Sequence, residues 1–354
     1  MREGYTTGTC AQAAAGAAML MLAYGKPVSD IEVETASGRR LKLDVIGQML
    51  GRGFARCGII KDSGDDHDIT NGAEIHAEVR LSPGEGIRVK GGRGVGTVTK
   101  PGLAVPPGEP AINPIPMQMI LKEVSANLPP GQKAEVTIIV PRGEELAAKT
   151  YNARVGVLGG ISILGTSGIV EPRSLEAYRA TLALQVRVAR ASGLLRLALC
   201  PGYLGERFCV GTLGLPREAV IRTGDHIGFV LEECRESGLQ KVLLVGHLGK
   251  LVKVAAGIFN THHAVGDARM ETIAAYAALQ GATREVIAEI MKQDSAEATV
   301  AIIGKHGLTP VFDRIAERVV ERAFRLLAGG PGVECFILDL KGEVLGQCPV
   351  NKST

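Results

Sequence analysis

Hydrophobic and polar positions follow two different patterns along the 354-residue chain. After an alanine-rich segment, the first part consists of short runs of alternating apolar and polar residues, which predict strands separated by glycine, aspartate and serine turns. The alanine-rich segment opens with Thr9 and Gln12 in capping-box spacing and closes on Gly25, so we predict a helix over about residues 10–24. Its small side chains predict close packing against a sheet.

The pattern changes near residue 153. From there, apolar runs such as LLRLALC and QKVLLVG alternate with longer amphipathic segments, and a strand is predicted in ARVGVLG, residues 153–159. We expect an N-terminal α+β domain over residues 1–152 and an α/β domain with a mostly parallel sheet over residues 153–354. The proline-rich residues 100–116 predict an ordered loop or a linker, because proline is excluded from helix interiors and central strands.

Composition excludes several classes of protein. Hydrophobic residues at 45% and charged residues at 22% are ordinary for a globular protein. Apolar runs fall short of the roughly 18–20 residues of a membrane helix, so we expect a cytoplasmic protein with no membrane partner. A net charge of +3 and 4% aromatic residues give little support for nucleic-acid binding. The seven cysteines include no C-x-x-C pair, so we expect neither a disulfide framework nor a metal site.

The segment GVLGGISILGTSGIV, residues 156–170, has five glycines and no charged side chain. Placed between a predicted strand and a predicted helix, it is expected at the carboxyl end of a strand, where ligands bind in doubly wound sheets. It nearly matches a P-loop, but Thr166 stands where that motif needs lysine, and the G-x-G-x-x-G spacing is absent. The segment is either an uncharged surface for an adenosine or a carboxylate, or a tight turn without a ligand.

Other segments predict anion receptors. VGHLGKLVK combines a strand, a glycine turn and a helix with Lys250 and Lys253, which predicts a carboxylate or phosphate site or, alternatively, a solvated helix face. GYTTGTC places three threonine hydroxyls beside a helix N-terminus. The loop with His262 is expected to form hydrogen bonds or transfer protons rather than bind zinc. The aspartates of KDSGDDHDITNG either shape a turn or face the active site.

Together these segments resemble the cobalt-precorrin-5B (carbon 1) methyltransferase family, CbiD. The resemblance rests on GYTTGTC, KDSGDDHDIT, TKPGLAVPPGEPAINP, GEELAAKT, GGISILGTSGIV, GHLGKL and THH with the later DAR, in this order nearly end to end. It implies S-adenosylmethionine-dependent methylation of carbon 1 of cobalt-precorrin-5B to give cobalt-precorrin-6A, in the oxygen-independent branch of cobalamin synthesis. The implied substrate is a cobalt-carrying corrinoid whose carboxylate arms suit repeated anion receptors.

The resemblance and the expected topology also suggest residue roles. The methyl donor is assigned to Gly159, Gly160, Ser162, Gly165, Thr166 and Gly168. The substrate carboxylates are assigned to Thr6, Thr7, Thr9, Lys250 and Lys253. The candidates for accepting a proton from the macrocycle are Asp65, Asp66, His247 and His262. Because methyl transfer from a sulfonium is an in-line displacement, alignment supplies much of the catalysis and no covalent nucleophile is needed.

Two alternatives stay open from the sequence. One is a phosphotransferase that binds a nucleoside triphosphate through the glycine turns, and the other is a non-enzymatic tetrapyrrole carrier. His67 and His263 stand where the family pattern has proline and serine, so the resemblance assigns no role to either side chain. The sequence also leaves open whether the chain forms a homodimer.

Overall fold

A computed structural model describes residues 1–172 and 174–349 of the chain. The chain divides into two compact units, Met1–Leu175 and Glu176–Thr354. The predicted order of an α+β part followed by an α/β part is confirmed. The sequence places the boundary between residues 152 and 153, whereas the first compact unit extends to Leu175, and short strands between residues 157 and 170 pair with strands of that unit.

The elements of the first unit are β1 (Gly4–Tyr5), α1 (Thr7–Tyr24), β2 (Asp30–Glu34), β3 (Arg40–Asp44), β4 (Ile46–Gly51), β5 (Phe54–Ile60), β6 (Glu74–Pro83), β7 (Ile87–Gly91), β8 (Gly94–Val95), β9 (Thr97–Val98), α2 (Pro114–Ser125), β10 (Gln132–Ile139), α3 (Gly143–Ala147), β11 (Val157–Leu158), β12 (Gly160–Ile161) and β13 (Ile169–Val170).

The elements that follow are α4 (Leu175–Ala191), β14 (Arg196–Cys200), α5 (Tyr203–Gly211), a 3₁₀ turn (Arg217–Ala219), β15 (Val220–Arg222), α6 (Ile227–Glu236), β16 (Lys241–His247), α7 (Leu248–Ala255), α8 (Arg269–Leu279), α9 (Arg284–Met291), α10 (Ala296–Lys305), α11 (Pro310–Leu326), β17 (Gly332–Leu338) and β18 (Val344–Cys348).

The main sheet of the first unit has the strand order β4-β5-β6-β10-β7 and is antiparallel except where β10 meets β7. Helix α1 packs on β5 and β6, and its Ala11, Ala14 and Ala18 are fully buried. Because alanine ends at Cβ, the helix backbone approaches the sheet closely, as the small residues predicted. The N-cap is Thr6 rather than the predicted Thr9, since Thr6 Oγ1 accepts a hydrogen bond from Thr9 N.

The sheet of the second unit has the order β15-β14-β16-β17-β18, with the first four strands parallel and β18 antiparallel. The chain passes from β14 to β15 on one side and returns to β16 on the other side of β14. The strand order therefore reverses between β14 and β16. In open α/β sheets, ligands bind beyond the carboxyl ends of the strands at such a switch point.

Strand β14 shows why this sheet is apolar on both faces. Leu197 and Leu199 belong to one buried cluster with the side chains of α7 and α11, whereas Ala198 and Cys200 belong to another with α5. Successive strand residues point to opposite faces, so helices on both sides require a continuous apolar run. Among the described residues, no helix combines the length and apolarity needed to cross a membrane.

Candidate functional site

The glycine segment, residues 156–170, lies in the first unit against the start of α1. Its regular structure is limited to β11, β12 and β13, which pair with β9, β8 and β1. Residues 153–156, predicted to be strand, form turns. The predicted position at the carboxyl end of a parallel strand is therefore wrong, because the segment is folded by pairing with strands far away in the sequence.

The three threonines assigned to substrate carboxylates are buried and bonded to the chain itself. Thr6 Oγ1 accepts from Thr9 N at 3.2 Å. Thr7 Oγ1 accepts from Leu164 N at 2.9 Å. Thr9 Oγ1 donates to Gly168 O at 2.7 Å. These hydroxyls therefore hold the glycine segment on the helix, which is a structural task.

Two glycines of the segment are required by this packing. Gly165 has a φ of +134°, and a Cβ there would lie 2.4 Å from Thr6 Oγ1. Gly168 has a φ of +83°, and a Cβ there would lie 2.9 Å from Thr9 Oγ1. Residues with a side chain rarely adopt such backbone conformations, and the space that a Cβ would need is filled by threonine atoms. The glycine segment thus fits the alternative of a turn without a ligand at these positions.

The other residues assigned to the donor differ in their surroundings. A Cβ at Gly160 would lie 2.2 Å from the carbonyl oxygen of Gly94 on the neighbouring strand. Ser162 is half-buried, and its carbonyl accepts a hydrogen bond from the threonine at position 7. Gly159 and Thr166 are exposed, and a Cβ at Gly159 would meet nothing within 4 Å. Only the surroundings of these last two residues leave room for a ligand.

The aspartate-rich residues 61–72 are organised around a buried lysine. Lys61 Nζ lies 2.7 Å from Asp68 Oδ2, and the lysine side chain is 1% exposed. Burial raises the pKa of Asp68, but the Lys61 ammonium and the hydrogen bonds from Thr70 together outweigh burial and hold the pKa below its usual value. Asp65 is exposed and accepts from the backbone N of Arg2 at 2.6 Å, while Asp66 is half-buried in the same turn. The charged side chains of this loop therefore stabilise its folded conformation.

A polar cluster lies at the carboxyl edge of the sheet in the second unit. Lys250 Nζ is 2.5 Å from Asp225 Oδ1, and Thr261 Oγ1 donates to the same oxygen at 2.8 Å. We call Asp225, Lys250 and Thr261 the edge cluster. Lys253 is buried and donates to the carbonyls of Thr261 at 3.3 Å and Gly266 at 2.9 Å. Of the two predicted lysines, Lys250 belongs to the cluster, whereas Lys253 fixes the loop behind it.

The edge cluster and the neighbouring Lys253 together carry an excess of positive charge. Burial raises the pKa of Asp225, but hydrogen bonds from Lys250 and Thr261 outweigh it and hold the pKa below its ordinary value. The carboxylate is therefore ionised at neutral pH. The ammonium groups of Lys250 and Lys253 both approach the carbonyl oxygen of Thr261, at 3.4 and 3.3 Å. Two cations beside one carboxylate suit an anionic ligand group.

His247 is the N-cap of α7 and is fully engaged. Its Nδ1 accepts from Gly249 N at 3.1 Å, and its Nε2 is 2.9 Å from Glu297 Oε2. Because Nδ1 accepts a backbone N–H, the hydrogen of the neutral ring is on Nε2 and is donated to Glu297. His247 positions the turn after β16, and both of its nitrogens are already used.

His262 is exposed in the loop between α7 and α8. Its Nδ1 accepts from Ala264 N at 3.2 Å, and its ring lies 4.3 Å from the ring of His263, centroid to centroid. The neutral ring therefore carries hydrogen on Nε2 and can donate but not accept there. Within residues 1–172 and 174–349, no three His, Cys, Asp or Glu side chains are grouped to hold a metal ion.

The start of α5 contributes backbone groups to the same edge. Its N-cap is Gly202, so no side chain caps the helix, and a Cβ at Gly202 would meet nothing within 4 Å. Three residues later, a Cβ at Gly205 would lie 2.2 Å from the carbonyl oxygen of Val245. The helix start is thus packed tightly against β16 on one side and open on the other. Uncapped N–H groups at a helix N-terminus attract anions.

Comparisons with known proteins identify the family. Residues 1–172 match the CbiD family model, and residues 260–349 match the model of the CbiD C-terminal domain. Cobalt-precorrin-5B C(1)-methyltransferases from Thermoanaerobacter sp. (strain X514) and Moorella thermoacetica are 46% and 48% identical, over 98% of this chain and 95% of each relative. The chain belongs to the CbiD family.

A solved CbiD structure is also similar. The crystal structure of a cobalamin biosynthesis protein (cbiD) from Archaeoglobus fulgidus is 32% identical, and the match covers 76% of this chain and 84% of that chain with a TM-score of 0.41. A cobalt-precorrin-5B C(1)-methyltransferase from Methanocaldococcus jannaschii is 43% identical over 99% of this chain and 97% of the relative. The family models and these curated relatives confirm the resemblance seen in the sequence motifs.

Sequence reasoning missed two side chains of this CbiD chain, Asp225 and His226. Both follow β15, which is only three residues long and gives little periodicity. The available signal for a site was the turn-forming sequence Thr-Gly-Asp-His, which follows the short apolar run AVI and one arginine. Its importance becomes visible only when Asp225 meets Lys250 at the sheet edge.

Proposed function

We propose that this chain transfers a methyl group from S-adenosylmethionine to carbon 1 of cobalt-precorrin-5B. The proposal is supported by relatives at 39–48% identity over 98–99% of the chain, which carry the name of that reaction. The structural observation that carries it is the switch point between β14 and β16. There, an open helix start and the edge cluster offer separate partners for the polar groups of the donor.

The chemistry of the donor fits the residues at this edge. S-adenosylmethionine has an amino-acid carboxylate, a ribose diol and an adenine ring, and supplies a methyl group on positively charged sulfur. The open N-terminus of α5 at Gly202 suits the carboxylate. The ionised Asp225 suits the ribose hydroxyls, because a carboxylate is the acceptor that a diol prefers in α/β sheets of this type.

The glycine segment is the other location proposed for the donor. Its support is the resemblance of GGISILGTSGIV to the family pattern and the open surroundings of Gly159 and Thr166. We favour the switch point, because the remaining glycines are accounted for by packing against Thr6, Thr9 and Gly94. The two locations differ in the substitutions that should weaken donor binding.

The corrinoid carboxylates require cationic or hydrogen-bonding partners. Lys250 is suited to this task because its side chain is 41% exposed. Lys253 is 4% exposed and bonded to two carbonyls, so it contributes charge rather than direct contact. Thr6, Thr7 and Thr9 have their hydroxyls bonded within the chain, which leaves Lys250 as the strongest of the five sequence candidates.

The remaining tasks of the protein are alignment and proton removal. In the proposed reaction, a carbon–carbon bond to the methyl group forms while the carbon–sulfur bond breaks, and the electron pair of the broken bond stays on sulfur. Holding the reacting carbons in line at about 3–3.5 Å supplies much of the rate enhancement. A covalent nucleophile is not required, and all seven cysteine thiols are buried.

Two measurements test the proposal on the purified full-length chain. Isothermal titration with S-adenosylhomocysteine is expected to give a micromolar Kd, whereas titration with ATP is expected to give no heat. Incubation of cobalt-precorrin-5B with methyl-labelled S-adenosylmethionine is expected to label the corrinoid at carbon 1. ATP binding without S-adenosylhomocysteine binding indicates a phosphotransferase, and corrinoid binding without label transfer indicates a carrier.

A further inference from the structure

His226 lies at the carboxyl edge of the parallel sheet, in the turn that joins β15 to α6. Its backbone N–H donates to Thr223 O at 3.1 Å, and its backbone pairs with Asn260 in an isolated antiparallel bridge. The preceding residue, Asp225, belongs to the edge cluster. The histidine backbone is therefore fixed both to its own turn and to the loop that carries Thr261.

The imidazole of His226 is incompletely satisfied. Its Nδ1 is covered and has no hydrogen-bond partner within the described residues, and the ring lies 5.5 Å from the ring of Tyr178, centroid to centroid. An unpaired buried polar atom destabilises a fold, so such atoms in native structures require an explanation. His226 itself is half-buried, so part of the residue remains accessible.

Burial and a neighbouring cation keep the ring of His226 neutral. Burial is the largest influence that lowers the pKa of His226, followed by the Arg179 guanidinium of α4. Asp225 raises that pKa, and His262 of the neighbouring loop lowers it. The net shift is downward, so at pH 7 the ring is unprotonated and has a lone pair for a proton. Arg179 lies over the Phe229 ring at 5.4 Å, which fixes the cation near the turn.

Two of the histidines that the sequence offered as proton acceptors, His247 and His262, are less suited to that role. His247 uses both ring nitrogens, one with Gly249 and one with Glu297. His262 uses Nδ1 as an acceptor, so its neutral ring presents a donor at Nε2. A general base needs an available lone pair near the reacting carbon, and His226 meets the first condition at the edge proposed for the reaction.

We propose that His226 accepts the proton that leaves the corrinoid during methyl transfer. This inference rests on the proposed function. As the methyl group bonds to carbon 1 and leaves sulfur, a bond to hydrogen in the macrocycle breaks and its electron pair stays in the macrocycle. The proposed step requires the tautomer in which the neutral ring has its hydrogen on the covered Nδ1, so that Nε2 of His226 takes the proton.

The test compares His226→Gln with His306→Gln in the full-length enzyme. His306 is an exposed histidine at the end of α10 and serves as the matched control. Loss of a general base lowers the rate by about 10²–10⁴-fold. We expect kcat of His226→Gln to fall at least a hundredfold while KM and the Kd for S-adenosylhomocysteine stay within about twofold. His306→Gln is expected to behave like the wild type, and imidazole is expected to restore activity to His226→Ala.

The pH profile provides a second measurement that needs no variant. The wild-type kcat is expected to fall at acidic pH with an apparent pKa below 6.5, because protonated His226 cannot accept a proton. If His226→Gln does not fold, as judged by circular dichroism, the absence of this acidic limb overturns the inference. A folded His226→Gln with wild-type kcat also overturns it, while leaving the proposed function intact. A wild-type chain that transfers no methyl group overturns both.

Discussion

Lys250 Nζ lies 2.5 Å from Asp225 Oδ1, and this ion pair ties the turn after β15 to the first turn of α7. Thr261 donates to the same carboxylate oxygen at 2.8 Å. Three chain segments thus meet at one atom at the edge where ligands bind in this class of sheet. An edge whose loops are already bonded to one another loses less entropy when it binds a ligand.

Asp225→Asn tests whether this carboxylate binds the donor. The side chains of Lys250 and Asp225 are 41% and 28% exposed, so loss of the ion pair should cost about 1 kcal/mol or less in stability. Loss of a hydrogen bond to an ionised group costs about 1.5–3 kcal/mol, so the Kd for S-adenosylhomocysteine should rise at least about tenfold. Calorimetry and thermal unfolding measure the two effects.

Glu317→Gln is the matched control for Asp225→Asn. Glu317 pairs with Arg314 at 2.8 Å on α11, and neither side chain belongs to the edge cluster. The Glu317→Gln variant loses an ion pair of the same type, but its Kd for S-adenosylhomocysteine should equal that of the wild type. If both variants bind like the wild type, Asp225 has no part in donor binding.

A second prediction concerns Lys61 and Asp68. The Lys61 side chain is 1% exposed and 2.7 Å from the carboxylate, so Asp68→Asn leaves a buried ammonium without its counterion. Removal of one partner from a buried pair costs about 3 kcal/mol. Urea unfolding at pH 7 should show this loss. A double variant, Lys61→Met with Asp68→Asn, should recover part of it because no buried charge remains.

The same pair makes stability depend on pH. The pKa of Asp68 in the folded chain is below its ordinary value of 3.8. Its contribution is therefore complete above the ordinary pKa and is lost as the pH falls through the lower, folded-state pKa. The difference in unfolding free energy between the wild type and Asp68→Asn should shrink below about pH 4.

The sequence predicted those parts of the fold whose periodicity is local. The alanine-rich helix and the apolar strands β14 and β16 were found from their local sequence patterns. The glycine segment could not be placed, because its partners, such as Gly94 and Gly4, are distant in the sequence. A glycine-rich apolar run is compatible with a turn at a parallel strand and equally with short pairings to other strands.

The candidate site was only partly predictable for a related reason. Lys250 was found because it lies at the start of a predicted helix that follows a predicted strand and a glycine turn. Asp225 and His226 gave no comparable signal, since β15 has three residues and their partners come from other segments. The predicted role of His247 also depended on information absent from the sequence, namely that Glu297 would occupy its Nε2.

A third prediction separates packing from ligand binding in the glycine segment. Gly165→Ala places a Cβ 2.4 Å from Thr6 Oγ1 at a φ of +134°, so it should cost at least about 2–3 kcal/mol in unfolding free energy. Gly159→Ala meets open space at a φ of +79°, so it should cost only about 1 kcal/mol. Chemical unfolding of both variants checks this order, and equal stabilities would contradict the packing argument.

Gly159→Ala also bears on the location of the donor. If S-adenosylhomocysteine binds at the switch point, this variant should keep the wild-type Kd. A Kd raised tenfold in folded Gly159→Ala would instead favour the glycine segment as the donor site.

The final prediction uses two glycines of one helix start, Gly202 and Gly205. Gly205→Ala drives a Cβ to 2.2 Å from the carbonyl oxygen of Val245, so it should destabilise the fold by about 2–4 kcal/mol. Gly202 has extended backbone, with a φ of −153°, and open space around it, so Gly202→Ala should change stability by less than about 0.5 kcal/mol.

Ligand affinity should show the opposite order. A methyl group at Gly202 occupies the space beside the uncapped N–H groups, so the Kd for S-adenosylhomocysteine should rise about tenfold, and further in Gly202→Val. Gly205→Ala, measured at a temperature where it is folded, should bind more nearly like the wild type, because its Cβ points at β16 rather than at the open side. Wild-type affinity in Gly202→Val would show that the open start of α5 does not bind the donor, since that bulk could not be accommodated beside a bound carboxylate.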